Sequence, residues 1–461
     1  MTKSILCSLC AAFIMAAPAG AQTLTKQERT AIVGALGSFT KGIRSDKIVI
    51  DTVVVNNDSL KIFLNSALED ISIRQDNATA ITSTIRSLLP PDLSKKKLQV
   101  LVDGNDIFSL IPNLYRTKAE RRPSFRNTSA APLVTRSDRP YTPQNGLDGR
   151  HIAMWQSHGK YFELGTNRWE WQRARLFESV EDKFTQSFVL PYLIPMLENA
   201  GAYVMTPRER DTNPYEVVVD NDGKMAKSPY TEQNGINAWQ QGEGTGFAYA
   251  RYQYQDFENP FTEGTYRQAT TVRKAAQAST ITWAPQIRQE RSYAVYVSYK
   301  TVEGSTTDAH YTVCHKGIET HFTVNQTMGG STWVYLGTFN FGTGKDNYVK
   351  LTNVSHDAGK IVTADAVRFG GGMGNIARAA SGDSTYVYTK ANTRSLGGQP
   401  RNDYQPSFTT YPMTSGYPRF LEGARYYMQW AGIPDSIYSP THGRNDYADD
   451  YRNRGLWVNY I

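Results

Sequence analysis

Tyr293-Ala294-Val295-Tyr296-Val297-Ser298-Tyr299 is the stretch whose reading fixes the fold class of the central third of this chain. Aromatic and β-branched side chains suit a pleated, packed surface, and a run this short bounded by polar residues reads as a strand. Similar runs recur around it. They are Phe247 to Tyr252, His310 to Cys314, His321 to Val324, Trp333 to Leu336 and Tyr348 to Leu351, with turn residues between them. That spacing predicts an antiparallel β-sandwich over residues 233–371, ending at the hinge Gly370-Gly371-Gly372.

On the N-terminal side the pattern changes. Thr25 to Leu36 reads as a helix, and Lys47 to Val55 and Leu60 to Leu64 as a hairpin turning at Asn56-Asn57-Asp58. Asn77 to Leu89 reads as a second helix closed by Pro90-Pro91, and Leu98 to Val102 as a third strand. Residues 22–118 are thus a small α/β domain with no catalytic constellation. Residues 119–149, rich in Pro and Arg without periodicity, read as a linker.

Residues 150–232 read as strand, His-Gly loop, carboxylate, helix, Gly stop and strand. Ile152-Ala153-Met154-Trp155 leads to His158-Gly159, and Glu178-Ser179-Val180-Glu181-Asp182 opens a helix that stops at Gly201 before Tyr203-Val204-Met205. Pro191 and Pro195 fall inside that helix and predict a kink, because a mid-helix proline costs about 3 kcal/mol. Residues 372–461 resume an α/β character, with a helix from Phe420 to Gly432 and an acidic patch at Asp446, Asp449 and Asp450. The chain as a whole is multidomain α/β plus all-β.

The 461 residues carry a formal charge of +7, dispersed rather than clustered. Export, read from the N-terminus, argues against nucleic acid; the positive charge suits a mild attraction to acidic glycans or wall polymer, and a solvated mixed-charge surface explains it equally well. Lys3, the apolar Ile5 to Ala17 and Ala19-Gly20-Ala21 form a signal peptide over residues 1–21, so the protein is expected in the periplasm, at the cell surface or outside the cell. No later run is long and apolar enough for a membrane span. Of the three cysteines only Cys314 lies beyond the signal, which excludes an internal disulfide. Trp283 and Trp333 are candidate sugar-stacking platforms, with a buried core role as the competing reading. His310, His315 and His321 form no shared metal site, since His310 and His315 face opposite sides of one strand.

Two resemblances follow from these residues. The stretch from Trp155-Gln156-Ser157-His158-Gly159 to Thr206-Pro207-Arg208 resembles the first half of zinc-dependent N-acetylmuramoyl-L-alanine amidases. The resemblance implies a zinc ion held by His158 and Glu181, with Asp182 and Glu178 as rivals for the carboxylate, and a zinc-bound water attacking an amide of peptidoglycan. The sequence departs from that family where Trp155-Gln156-Ser157 replaces its Asp-Pro-Gly and where Pro207 interrupts its Thr-Arg pair. A second His ligand and the catalytic Glu find no match. His442 reads as a loop residue, and the chain is expected to end before the strand that carries the missing His. Residues 372–461 would continue this unit. The β-rich insert resembles the carbohydrate-binding-like domain of golvesin and of Bacteroidetes proteins labelled xanthan lyase, on Ile281 to Pro285, Tyr311 to His315, Trp333 to Phe339 and Ala364 to Phe369. Three activities are thereby in play: an amidase with an incomplete site, a non-catalytic glycan- or wall-binding protein, and a polysaccharide lyase.

Overall fold

The structure, a computed structural model, describes residues 23–41, 47–117, 119–120, 131–138, 146–223, 228–379 and 412–461. The segment read as a signal peptide lies outside these residues, as does most of the segment read as linker. Among them, no helix is long and apolar enough to cross a membrane. The chain divides into two compact units, Met1–Thr128 and Ser129–Ile461.

The first unit follows its sequence pattern. Helix Lys26–Leu36 begins at a capping box in which the Thr25 hydroxyl accepts from the Glu28 N–H and the Glu28 carboxylate accepts from the Thr25 N–H. Strands Ile50–Val55 and Ser59–Leu64 form the expected hairpin. Helix Gln75–Ser87 then crosses over so that Lys97–Val102 runs parallel to the second strand. Leu60, Ile62 and Leu64 alternate inward onto Ile81 and Ile85.

The second unit is built on a β-sandwich. One sheet has six strands in the order Tyr230–Gln233, Thr280–Trp283, Tyr348–Thr352, Ala309–His315, Ile318–Val324 and Val134–Arg136. The facing sheet has four: Val217–Val219, Val367–Phe369, Arg291–Val297 and Val334–Phe341. Trp283, Tyr311, Val313 and Leu351 of the first sheet pack against Val295, Val297 and Phe369 of the second. The predicted boundaries need correction. Val134–Arg136 comes from the segment read as linker, and Val217–Val219 from the segment assigned to the α/β part.

Strand Arg291–Val297 is buried at every position from Tyr293 on, because its sheet is covered on both faces. Tyr293, Val295 and Val297 point into the sandwich, while Ala294 and Tyr296 face a second core with Trp333, Trp430, Phe247 and Phe261. That second core is closed by the C-terminal helices Ala424–Trp430 and Asp446–Tyr460.

Strands His151–Ala153 and Tyr203–Met205 pair in parallel, joined by a helical crossover over Val189, Ile194 and Val204. Pro191 does kink that crossover: α-helix Glu181–Phe188 passes through a π turn, Val189–Leu193, into Ile194–Asn199. Gly201 ends it at φ +104°. This pair remains two-stranded among the described residues. The wider α/β sheet implied by the amidase resemblance is not shown, and residues 412–461 continue no such sheet. They cover the sandwich instead.

Candidate functional site: a polar groove and a cationic pocket beside the sandwich

The residues expected to act divide into those the fold buries and those it leaves at clefts. Trp283 is 0% exposed, stacks on Tyr311 and donates its indole N–H to the Asp365 carbonyl at 2.9 Å. Trp333 is 6% exposed between Phe247, Phe261 and Trp430. An indole packed this way presents no face to a sugar, so both are core residues and not stacking platforms.

His158 sits in the loop after strand His151–Ala153, and Arg208 holds that loop. The fully buried guanidinium donates to the carbonyls of Ser157 at 2.6 Å, Phe420 at 2.8 Å and Glu422 at 2.9 Å, and also to that of His158. Ser157 adopts φ +103°, a costly conformation for a residue with a Cβ, which this clamp secures. Gly159 is required because a Cβ there would lie 2.5 Å from the Glu422 carbonyl. The His-Gly and Thr-Pro-Arg motifs are therefore two halves of one backbone lock.

Around the imidazole the charge is positive. The His158 Nε2 lies 3.1 Å from an Arg173 guanidinium nitrogen, and its Nδ1 is buried without a partner. Burial, then Arg454 and Arg173, push the imidazole down to about 4. Of the carboxylates, Asp182 is the buried one, accepting the Arg173 N–H at 3.2 Å, and burial raises it to about 6. Glu181 is exposed at the mouth of a pocket of about 380 Å³ that it shares with Trp155, His158, Thr185 and Arg454. Glu178 is exposed at the tip of the hairpin Arg175–Leu176/Ser179–Val180.

These residues do not fit a zinc ion. The Nε2 lies against the Arg173 guanidinium, and three arginines, Arg454, Arg173 and Arg208, act on the ring against one carboxylate, Asp450. A hydrolytic zinc needs three protein ligands. Among the described residues His158 belongs to no group of three His, Cys, Asp or Glu side chains able to meet on one ion. His442 is an exposed turn residue at φ +54°, as expected.

The pocket's titration has a measurable consequence. The folded value of His158, about 4, lies below its ordinary value of 6.5. The unfolded chain therefore takes up the proton first as pH falls. The stabilisation is complete above pH 6.5 and is lost as pH falls toward 4, amounting to about 2 kcal/mol once screening is allowed for. Asp182, raised, acts oppositely between its ordinary value and about 6. His158→Gln isolates the imidazole: urea titrations at pH 4.5 and 7 should show a smaller acid loss in the variant, and identical pH slopes would refute this assignment.

A larger groove, about 1010 Å³, runs between the crossover helix and the four-stranded sheet. Lys183, Gln186 and Asn199 line one wall, and Arg291, Tyr335 and Thr338 the other. Arg210 spans them, stacked 3.8 Å from the Tyr335 ring centroid and paired with Glu198 at 2.8 Å. Asp211 at the floor accepts the Ala294 and Asn213 N–H groups, and burial with the Glu209 charge raises it to about 6. Planar amides, guanidinia and hydroxyls beside an aromatic edge are donors and acceptors of the kind a sugar ring matches.

Residues 248–371 match the golvesin C-terminal domain. The matched residues include most of the sandwich, although the edge strand Val134–Arg136 and the strands Val217–Val219 and Tyr230–Gln233 lie outside the match. Among solved structures, the chain is similar to a Paenibacillus xanthan lyase at 22% identity and a TM-score of 0.26, over 34% of this chain and 13% of the lyase. It is similar to the C-terminal CBM6 of a laminarinase from Zobellia galactanivorans at 9% identity and a TM-score of 0.21, over 34% of this chain and 99% of the module. A xanthan lyase is thus spanned only in small part. A xylan-binding CBM22 domain aligns at 14% identity and a TM-score of 0.21, over 34% of this chain and 95% of that domain. No curated protein matches the chain. Within the second unit, residues 248–371 are thus similar to the golvesin C-terminal domain, and the amidase resemblance finds no counterpart in these comparisons.

Proposed function

We propose that this protein is an exported, non-catalytic polysaccharide-binding protein whose glycan lies in the groove between the crossover helix and the golvesin-type sandwich. The observation that carries this reading is the golvesin-type match over 248–371, whose strand Arg291–Val297 supplies a groove wall through Arg291. Amide hydrolysis has no support in the geometry around His158. The acidic patch offers no free base either: Asp446 pairs with Arg378 at 2.7 Å, Asp449 with Arg425 at 3.3 Å, and Asp450 accepts from Gln172 at 2.7 Å.

Affinity electrophoresis through gels containing xanthan, xylan or laminarin, with co-sedimentation on insoluble peptidoglycan, tests the reading. At least one glycan should retard the protein with no product released. Arg291→Ala removes an exposed groove donor and should weaken that retention about 10-fold, the equivalent of one charged hydrogen bond. Failure to bind any of the four rejects the function, while undiminished retention of the variant rejects the groove as its seat.

A further inference from the structure

A second group of side chains lies at the end of two central strands of the six-stranded sheet, on residues that line neither the groove nor the His158 pocket. Asp308 precedes strand Ala309–His315 and His310 is its second residue, so the two side chains emerge on one side two positions apart. That strand pairs antiparallel with Tyr348–Thr352, with His310 opposite Thr352. The chain leaving the partner strand therefore turns back beside Asp308 and brings His356 to it. The His356 Nδ1 lies 2.5 Å and the His310 Nε2 3.5 Å from the same Asp308 oxygen, Oδ2. One ligand atom from each residue lies within 4.8 Å of the other two.

The carboxylate is aimed by its neighbours. The Ser355 hydroxyl at 2.5 Å and the Thr306 hydroxyl at 2.7 Å donate to Oδ1, and the His356 N–H at 2.9 Å donates to Oδ2. Burial pulls Asp308 upward, but these hydrogen bonds prevail and hold it well below the usual carboxylate range. The imidazoles remain accessible, with His356 side chain 86% and His310 33% exposed. His315, against Phe339, and His321, on Thr312, stay apart from the group.

We propose that Asp308, His310 and His356 bind a divalent transition-metal ion of the zinc type. Two imidazoles and one carboxylate suit zinc, copper or nickel and not calcium or magnesium, which take oxygen ligands. Ligand atoms around tetrahedral zinc stand about 3.3 Å apart, the value that follows from metal-ligand bonds of about 2.0–2.1 Å. The His310 to Asp308 separation already meets this. The shorter His356 contact, 2.5 Å, has to lengthen by about 1 Å for an ion to sit between the two atoms. Ser355 and Thr306 then act as outer-shell groups that orient the carboxylate.

The test uses the full, untagged chain, stripped with chelator and equilibrated with zinc sulphate, with bound metal measured after dialysis. Zinc should be retained in stoichiometric amount by the parent and by His158→Ala, and fall to background in His310→Ala and in His356→Ala. Ser355→Ala should weaken binding about 10- to 100-fold. His356 is exposed, so its loss tests the site without risk to the fold. The proposal is overturned if the parent holds no more zinc than the His310→Ala/His356→Ala double variant, or if zinc departs with His158 alone.

Discussion

Arg425→Met should destabilise the second unit by about 3–5 kcal/mol, the range for removing one partner of a buried ion pair. Arg425 is fully buried. Its guanidinium meets Asp256 at 2.7 Å, Asp449 at 3.3 Å and Asp446 at 3.5 Å, and donates to the Ser439 hydroxyl. Met keeps the apolar stem and deletes the charge. Arg378, the remaining counter-ion, already serves Asp446 and Asp256, so Asp449 loses its arginine and keeps hydrogen bonds from Thr441 and from the Ser439 hydroxyl. Asp449 is already raised, by burial, and Arg425 opposes that rise more than any one of the hydrogen bonds from Thr441 and Ser439 does. In the variant it should rise further. A carboxylate whose folded value exceeds its unfolded value holds its proton longer in the native state. Stability is therefore lost as pH rises from the ordinary carboxylate value through the folded one. The deficit of Arg425→Met measured by urea unfolding should accordingly be smaller at pH 5 than at pH 8. A deficit below about 1 kcal/mol at both would mean that this arginine is not the counter-ion of the cluster.

That arginine also marks where the sequence stops being readable. Local pattern suffices where neighbours in sequence are neighbours in space. The hairpin through Asn56-Asn57-Asp58, the Gly201 stop and the strand run from Tyr293 are of this kind, and each stands where it is expected. Buried arginines are not legible, because an isolated Arg defaults to the surface. Arg208, Arg368 and Arg425 are fully buried only through partners far along the chain: Glu422 for the first, Glu209 for the second and Asp256 for the third. The candidate metal group is hidden for the same reason, since Asp308 and His356 lie 48 positions apart and meet only through strand register. The edge strand Val134–Arg136 has three residues, too few for a period to show. The His158 loop did carry a signal in its Gly159 and Arg208. That signal concerned backbone closure, and the surrounding Arg173 and Arg454 reversed the sign of the charge a zinc ligand needs.

Trp283→Ala should cost a further class of energy, about 3–5 kcal/mol, because it opens a cavity in the main sandwich core. The indole lies between Tyr230 and Tyr311 at ring separations of 5.9 and 6.4 Å, and its N–H satisfies the Asp365 carbonyl. Losing that bond leaves a buried acceptor unpaired, which adds about 1 kcal/mol or more. Trp283→Phe separates structure from function. It retains most of the apolar volume and gives up the N–H, so it should lower stability by less than the alanine variant. If Trp283 is core, glycan retention of the folded Phe variant equals that of the parent, whereas Arg291→Ala weakens retention with little change in the unfolding midpoint. A Phe variant that unfolds at nearly the parent's urea concentration yet no longer binds glycan would restore Trp283 as a sugar platform and require a conformation in which strand Tyr230–Gln233 leaves its partner. The paired register Tyr230 to Trp283 opposes such an opening, since all four residues of that edge strand are paired in register with Thr280–Trp283. Trp283→Phe and Arg291→Ala therefore test the core and the proposed groove independently.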